Sequence, residues 1–211
     1  MADCIIFCAG ELSAAVDPIK PDDYILAADG GLRHVISLGL TPNGCIGDFD
    51  SLGFVPEGAQ VFPVEKDDTD AMLAVRQGLT MGYRRFLIYG GLDGPRLDHT
   101  VANFQTLKFL ADHGAQGYLL GKEQVVTAIR DGGLCFPGEP EGTVSVFCMG
   151  EDASGVTLEG LKYPLEDGTL TSGFPLGASN RFLGKQARIF VKEGCLLLIY
   201  DRKNGFPIWV E

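Results

Sequence analysis

The stretch that decides the fold is RFLIYGGLDGPRLDHTVANFQTLKFLADHGAQGYLL, residues 85–120. It begins with the apolar run Arg85–Tyr89, which is typical of a buried strand, and continues through a glycine-rich loop. Residues 98–113 then form a long helix-like segment, and residues 117–120 form a second apolar run. A strand, a helix and another strand in this order predict a crossover connection between two parallel strands.

The same alternation covers the chain on the N-terminal side of this stretch. Strand-like runs lie at residues 3–9, 24–28, 44–46 and 59–64, and helix-like segments lie at residues 32–38 and 69–81. We therefore predict an α/β domain with a mostly parallel sheet over residues 1–122. Ligands of such sheets bind beyond the carboxyl ends of the strands.

The pattern changes after about Gly121, where helical periodicity disappears. Short β-rich runs follow at residues 125–129, 143–148, 155–158, 187–191 and 195–200. Pairs such as Pro137-Gly138, Asp167-Gly168 and Glu193-Gly194 separate them. This spacing predicts an antiparallel all-β sandwich domain over residues 123–211.

The charge of the chain restricts its partners. The formal net charge is −11 over 211 residues, without a basic stripe, which excludes nucleic acid as an expected partner. No apolar stretch is long enough to span a bilayer, and the first residues lack a basic leader, so we expect a cytoplasmic protein. ATP is itself a polyanion, and an ATP site in this protein would need bridging metal cations.

Acidic loops directly follow the predicted strands of the first domain. They are DGG at residues 29–31, GDFDS at 47–51, KDDTD at 66–70 and GGLDGPRLDH at 90–99. Parallel strands have their carboxyl ends at the same edge of a sheet, which is the strand-end rule, and these loops should therefore meet at that edge. The residues that would crowd together there are Asp29, Asp48, Asp50, Asp70 and Asp98. Crowded carboxylates resist joint ionisation, and Mg²⁺ relieves the conflict because it prefers carboxylate, phosphate and water oxygens. The loops therefore predict a magnesium–phosphate site.

Other residues in these loops suit a phosphate ligand. Gly30-Gly31 and Gly90-Gly91 permit positive φ and close backbone approach, and Arg96 offers a planar fork to phosphate oxygens, with Lys66 as a further nearby cation. Simpler roles stay open: Asp68 or Thr69 could cap the helix at 69–81, Asp98 could cap the next helix, and Arg96 could form a surface ion pair.

Taken together, these motifs resemble the thiamine pyrophosphokinase family. The resemblance is carried by ADGG at 28–31, GDFDS at 47–51, KDDTD at 66–70 and RLDH at 96–99 with Asn103, and in the β-rich part by GLKYPL at 160–165 and GASN at 177–180. It extends over nearly the whole chain. Tyr163 departs from the pattern, because many relatives have Trp there.

The resemblance implies an enzyme that transfers the diphosphate of Mg-ATP to thiamine, giving AMP and thiamine diphosphate, with an active site at the interface of a homodimer. It implies metal ligands Asp48, Asp50 and Asp70, and catalytic carboxylates Asp50, Asp70 and Asp98, with either Asp70 or Asp98 as the proton acceptor. It further implies that ATP lies near Asp29, Gly30, Gly31, Arg96 and His99, and that thiamine contacts Ser179 and Asn180.

Three other functions share some of these features. A pyrophosphokinase for another alcohol, such as a pterin, would have the same acidic loops but a different acceptor pocket. A Mg²⁺-dependent phosphohydrolase would use water in place of the alcohol. A non-enzymatic nucleotide or thiamine sensor would bind without turnover.

Overall fold

A computed structural model describes residues 2–65 and 67–210. The chain divides into two compact units. The first consists of Met1–Leu110 and Ala115–Lys122, and the second of Ala111–Gly114 and Glu123–Glu211.

The first unit is a parallel sheet with three helices. Its strands and helices, in chain order, are β1 (Cys4–Phe7), β2 (Tyr24–Ala28), α1 (Leu32–Ser37), β3 (Gly44–Gly47), β4 (Gln60–Val61), α2 (Asp70–Thr80), β5 (Arg85–Tyr89), α3 (Leu97–Asp112) and β6 (Gln116–Leu120). The sheet order is β6-β5-β1-β2-β3-β4, and every pairing is parallel. The central strand β1 pairs Ile6 with Leu26 on one side and with Ile88 on the other.

Burial explains why this sheet is parallel. All residues of β1 are buried, and β2, β5 and β6 are buried apart from their first residues. A strand that is apolar on both faces needs cover on both faces, which crossover helices provide. Helix α2 packs against β1, β2 and β3, and its buried residues include Ala74 and Gly78. Gly78 lies close to Phe86 and Cys4, where a Cβ would meet both side chains within 3 Å.

The second unit is all β. Its strands are β7 (Gln124–Phe136), β8 (Thr143–Cys148), β9 (Ala153–Glu159), β10 (Leu165–Leu170), β11 (Asn180–Arg181), β12 (Ala187–Asp201) and β13 (Ile208–Val210). Long strand β12 pairs with β7 along its length, with β9 through its first half and with β8 through its second half. The pairings of these strands are antiparallel. The fold class predicted from the sequence, an α/β region followed by an all-β sandwich, is confirmed.

Some predicted element boundaries were wrong. The strand predicted at 59–64 is reduced to the exposed pair Gln60–Val61, because β4 is the end strand of the sheet. The runs at 187–191 and 195–200 form one strand, and Glu193-Gly194 is an irregularity within it where Gly194 has φ 115°. Asp167-Gly168 lies inside β10, where the register shifts, and does not separate strands.

Among the described residues, no helix has both the length and the apolar character needed to cross a membrane.

Candidate active site

The carboxyl ends of the parallel strands surround a cavity of about 450 Å³, a size typical of ligand sites. Its wall contains six residues that the sequence identified: Asp29, Asp48, Asp50, Asp70, Arg96 and His99. Gly30, Gly31 and Asp98 are not among the described residues that line it. The strand-end rule thus brings residues from separate loops into one cavity.

Asp29 is held in an unusual position at the end of β2. Its side chain is buried, with 7% exposure, and its backbone has φ 46°. The Ser51 hydroxyl donates a hydrogen bond of 2.7 Å to Asp29 Oδ2. No hydrogen-bond donor among the described residues reaches Asp29 Oδ1, although this oxygen is buried. A buried carboxylate oxygen without a donor is costly, and a cation would compensate it.

The glycines next to Asp29 do not use the positive φ that glycine permits. Asp29 has positive φ, whereas Gly31 has φ −56°. Gly30 does not have positive φ either. A Cβ on Gly31 would lie 1.9 Å from the Phe7 carbonyl oxygen, so this glycine is needed for close packing against β1. Gly90 does use this freedom and has φ 69°.

The loop after β3 has a buried aromatic residue, Phe49, between two aspartates, Asp48 and Asp50. Phe49 has 2% exposure and φ 60°, whereas Asp48 is partly exposed and Asp50 is exposed. The Asp50 backbone N–H donates to Asp48 Oδ1 over 3.2 Å, which tightens the loop. Because Phe49 is buried in the core, the Asp residues on either side of it remain available to the cavity.

Asp29, Asp48 and Asp50 meet at one point. One carboxylate oxygen from each lies within 4.8 Å of the others. Three negative charges this close repel each other unless a cation lies among them. Hard oxygen donors at this spacing fit Mg²⁺. The sequence grouped Asp48 and Asp50 with Asp70, whereas the geometry adds Asp29 to this pair, and Asp70 lines the same cavity.

Asp70 is positioned by the start of α2. Thr69 is the N-cap residue of this helix, and its hydroxyl accepts a hydrogen bond from the Met72 N–H over 3.2 Å. Of the two capping residues considered from the sequence, Thr69 is therefore the one that caps, and Asp68 forms an ion pair with Arg76 at 3.1 Å. Asp70 is in the first turn, where the helix dipole favours a negative charge.

Arg96 and Asp98 form a two-point ion pair. Arg96 Nε and Nη2 donate to the two oxygens of Asp98 over 3.0 and 2.7 Å, and both side chains are about two-thirds exposed, at 66% and 65%. The hydrogen bonds from Arg96 lower the pKa of Asp98 to about 2. A phosphate ligand of Arg96 would therefore have to share or replace Asp98. Lys66, the other predicted cation, lies outside the described residues.

Some cavity residues were missed by sequence reasoning. The loop after β1 contributes Cys8 and Gly10, and the strand-end rule applied to β1 could have found it. His34 on α1 supports this loop, since its Nε2 lies 2.7 Å from the Gly10 carbonyl oxygen. Asn103, part of the matched motif, donates to the Gly91 carbonyl over 2.8 Å and so supports the glycine loop.

The residues predicted to contact thiamine lie in the second unit. Ser179 is exposed with φ 57°, and its backbone N–H donates to Ser145 Oγ over 3.0 Å. Asn180 has 3% exposure, and its amide bonds both to the N–H and to the carbonyl of Tyr163, over 3.0 and 2.7 Å. Asn180 therefore fixes the backbone of an exposed aromatic residue, since Tyr163 is 57% exposed.

The fold and the site define a protein with an acidic cavity in a parallel α/β unit, followed by an all-β unit. Comparison with known proteins agrees with this class. Residues 17–119 match the thiamin pyrophosphokinase catalytic domain, and residues 134–196 match the thiamin pyrophosphokinase vitamin B1 binding domain. The chain belongs to the thiamine pyrophosphokinase family.

Individual relatives are similar over most of the chain. A thiamine pyrophosphokinase of Bacillus subtilis (strain 168) is 27% identical over 183 residues, which are 82% of this chain and 85% of the relative. The crystal structure of a thiamine pyrophosphokinase from Bacillus subtilis has a TM-score of 0.82 at 24% identity and covers 95% of this chain and 99% of that one. A thiamin pyrophosphokinase family protein from Enterococcus faecalis has a TM-score of 0.80 at 25% identity, with the same coverage.

Proposed function

We propose that this protein transfers the diphosphate group of ATP to the hydroxyl of thiamine, giving thiamine diphosphate and AMP. The observation that carries this proposal is the convergence of Asp29, Asp48 and Asp50 at the strand ends. It occurs in a chain that matches both the catalytic and the vitamin B1 binding domains of one family. The first unit would hold the cation that the diphosphate donor needs, and the second unit would bind the acceptor.

The cation of this site is proposed to be Mg²⁺. Asp29, Asp48 and Asp50 would hold it, whereas Asp70, which the resemblance also assigns to the metal, lies on the same cavity wall outside this group of three. When bound, Mg²⁺ would neutralise the charge of the phosphate oxygens. Carboxylates alone would repel the triphosphate of ATP in a protein with a net charge of −11.

The nucleotide is proposed to lie along the glycine-rich loops. Gly90 and Gly91 line the cavity without side chains that would keep phosphate oxygens away. Arg96 would bind a phosphate oxygen through Nη1, while its Nε and Nη2 continue to hold Asp98. His99 lies on the same wall, and Gly30 and Gly31 follow Asp29 directly.

The proton of the thiamine hydroxyl is proposed to go to Asp70. The hydroxyl oxygen bonds to the β-phosphorus of ATP, the bond from this phosphorus to the α,β-bridging oxygen breaks, and that oxygen leaves with AMP. Asp98 is a weak base, because Arg96 occupies both of its oxygens and holds its pKa at about 2. General-base assistance of this kind contributes roughly 10²- to 10⁴-fold.

Thiamine is proposed to bind at Ser179 and Asn180, close to the exposed ring of Tyr163. An exposed aromatic ring suits a cationic heteroaromatic ligand. We further propose a cytoplasmic homodimer in which the active site lies at the subunit interface.

The activity is tested by incubating the purified protein with Mg-ATP, with and without thiamine, and measuring AMP and thiamine diphosphate. We expect AMP that depends on thiamine and equals the thiamine diphosphate formed. AMP release that is indifferent to thiamine would instead indicate a phosphohydrolase. A lack of AMP in both reactions would leave a different acceptor or a sensor as the explanation.

The interface site is tested with mixed dimers of Asp70→Asn and Ser179→Arg chains, purified through two different tags. Each homodimer should be inactive. If each site combines two chains, one site of the mixed dimer has no substitution, and we expect about half of the wild-type activity per dimer. Mixed dimers as inactive as either parent would place each site within a single chain.

A further inference from the structure

We propose that Ser51 is a positioning residue for the metal site: its hydroxyl holds one carboxylate oxygen of Asp29 so that the other oxygen is directed to the cation. This inference rests on the proposed role of Asp29 as a metal ligand. Neither the motif match nor the family comparison assigns this role to Ser51. The structure assigns it through a short chain of contacts.

The first contact is the hydrogen bond between Ser51 and Asp29. Ser51 Oγ donates to Asp29 Oδ2 over 2.7 Å, across 22 residues of sequence. Asp29 Oδ1 is buried and has no donor among the described residues, so the two oxygens of one carboxylate have different surroundings. The oxygen that lacks a donor is the one left for a cation, and one oxygen of the Asp29 carboxylate lies within 4.8 Å of oxygens of Asp48 and Asp50.

The backbone of Ser51 is itself held in place. Arg33 on α1 donates from Nη2 to the Ser51 carbonyl over 2.6 Å, which attaches this end of the GDFDS loop to the helix that follows Asp29. Gly30 provides the space, since a Cβ there would lie 2.9 Å from Ser51 Oγ. Residues on both sides of the hydrogen bond therefore orient it.

Outer residues that orient a metal ligand are important for metal binding, because they fix the rotamer of the ligand before the metal arrives. Their removal typically weakens metal binding by roughly 10- to 100-fold. A purely structural hydrogen bond would act differently. Its loss would lower thermal stability while the affinity for the metal stayed unchanged.

The experiment measures Mn²⁺ binding to the full chain without nucleotide, by calorimetry and by the loss of the free Mn²⁺ signal in electron paramagnetic resonance. Ser51→Ala is expected to bind Mn²⁺ roughly 10- to 100-fold more weakly than the wild type. Ser51→Thr keeps the hydroxyl and is expected to restore most of the affinity. The matched control is Ser37→Ala, because Ser37 donates a similar bond of 2.8 Å to the His34 carbonyl on the exposed part of α1. Its Mn²⁺ affinity should equal that of the wild type.

Folding is checked by circular dichroism and thermal unfolding. If Ser51→Ala does not fold, Ser51→Cys takes its place, because a thiol has nearly the same shape but is a weak donor. The same loss of Mn²⁺ affinity is expected.

The possible results separate this inference from the proposed function. A wild type that binds Mn²⁺ and forms thiamine diphosphate, beside a folded Ser51→Ala or Ser51→Cys protein with undiminished Mn²⁺ affinity, overturns the role of Ser51 and leaves the function intact. A wild type that neither binds Mn²⁺ nor releases AMP overturns both.

Discussion

Replacing Gly31 by Ala tests whether close packing beneath Asp29 sets the geometry of the site. Gly31 ends the turn that begins with Asp29 and immediately precedes α1. Its backbone is helical, with φ −56° and ψ −20°, so alanine has no conformational difficulty there. Any effect of the substitution must therefore come from the space that the added methyl group occupies.

That space is already filled by the backbone of β1. A Cβ on Gly31 would lie 1.9 Å from the Phe7 oxygen, 2.5 Å from the Phe7 carbonyl carbon and 3.1 Å from the Cys8 nitrogen. Reaching an ordinary carbon–oxygen separation of roughly 3.3 Å requires a movement of about 1.4 Å. Because all three atoms are backbone atoms next to a buried central strand, no side-chain rotation relieves the contact.

Two effects on stability oppose each other, and the clash is the larger. Alanine gains up to about 1 kcal/mol over glycine in a helix interior, and less at a helix end. Overpacking of a buried site costs about 1–3 kcal/mol, and the very short contact favours the upper part of this range. At about 2–4 °C per kcal/mol for a chain of this size, Tm should fall by several degrees, up to about 12 °C. Since displacement of a catalytic group by about 1 Å can cost roughly 100-fold, kcat should fall by a similar factor.

The assay combines thermal unfolding with thiamine diphosphate formation at saturating Mg-ATP and thiamine. Gly173→Ala is the matched control, because a Cβ there meets no atom within 4 Å and its φ is outside the left-handed region. We expect wild-type Tm and kcat for this control. A Gly31→Ala protein with the Tm and kcat of the wild type would refute the argument that β1 and the Asp29 turn must stay this close.

Three further predictions concern the residues around the cavity. Asp70→Asn should lower the single-turnover rate by roughly 10²- to 10⁴-fold, and Asp98→Asn by much less, because Asp70 is the proposed proton acceptor. Arg96→Gln should raise the pKa of Asp98 from about 2 towards its ordinary value of 3.8, as measured by carbon NMR titration. Because pairing lowers this pKa in the folded state, it stabilises the fold above about pH 4, and this contribution is lost as the pH falls through about 2. Thr69→Ala removes the cap bond to the Met72 N–H and should lower the free energy of unfolding by about 1 kcal/mol in urea.

Each of these predictions has a clear contrary result. Equal rate losses in Asp70→Asn and Asp98→Asn would remove the reason to prefer Asp70. An Asp98 pKa that stays near 2 in Arg96→Gln would contradict Arg96 as its main cause. Thr69→Ser keeps the capping oxygen and serves as the control for Thr69→Ala, so equal unfolding free energies for the two variants would show that the cap contributes little.

The gathering of the carboxylates could be predicted from the sequence because it follows from a general rule. Each acidic loop comes directly after an apolar run, and parallel strands end at the same edge. This rule predicts which edge of the sheet the acidic loops share, but it does not predict which carboxylates lie next to each other there. Asp29 was assigned to the nucleotide from its motif, whereas its oxygen lies within 4.8 Å of those of Asp48 and Asp50.

Roles that depend on contacts between distant residues were not predictable. The motif suggests that Asn180 contacts thiamine, and the structure adds that its amide bonds the backbone of Tyr163, a pairing that no periodicity of the sequence indicates. Gly31 is a second residue whose role depends on a contact that is distant in the sequence. A glycine pair in a loop usually indicates positive φ, but this residue is needed because Phe7 of β1 lies against it.

The sequence by itself determined the order of an α/β region and an all-β region, the approximate positions of the main helices and parallel strands, and the edge of the sheet where acidic residues collect. These features depend on apolar periodicity and turn residues, which act over a few neighbouring positions. The tertiary structure alone decided which Asp29 oxygen is held by Ser51 and which glycine is needed for packing. Side-chain direction and available space are set by residues that are remote in the chain, and local patterns contain no information about them.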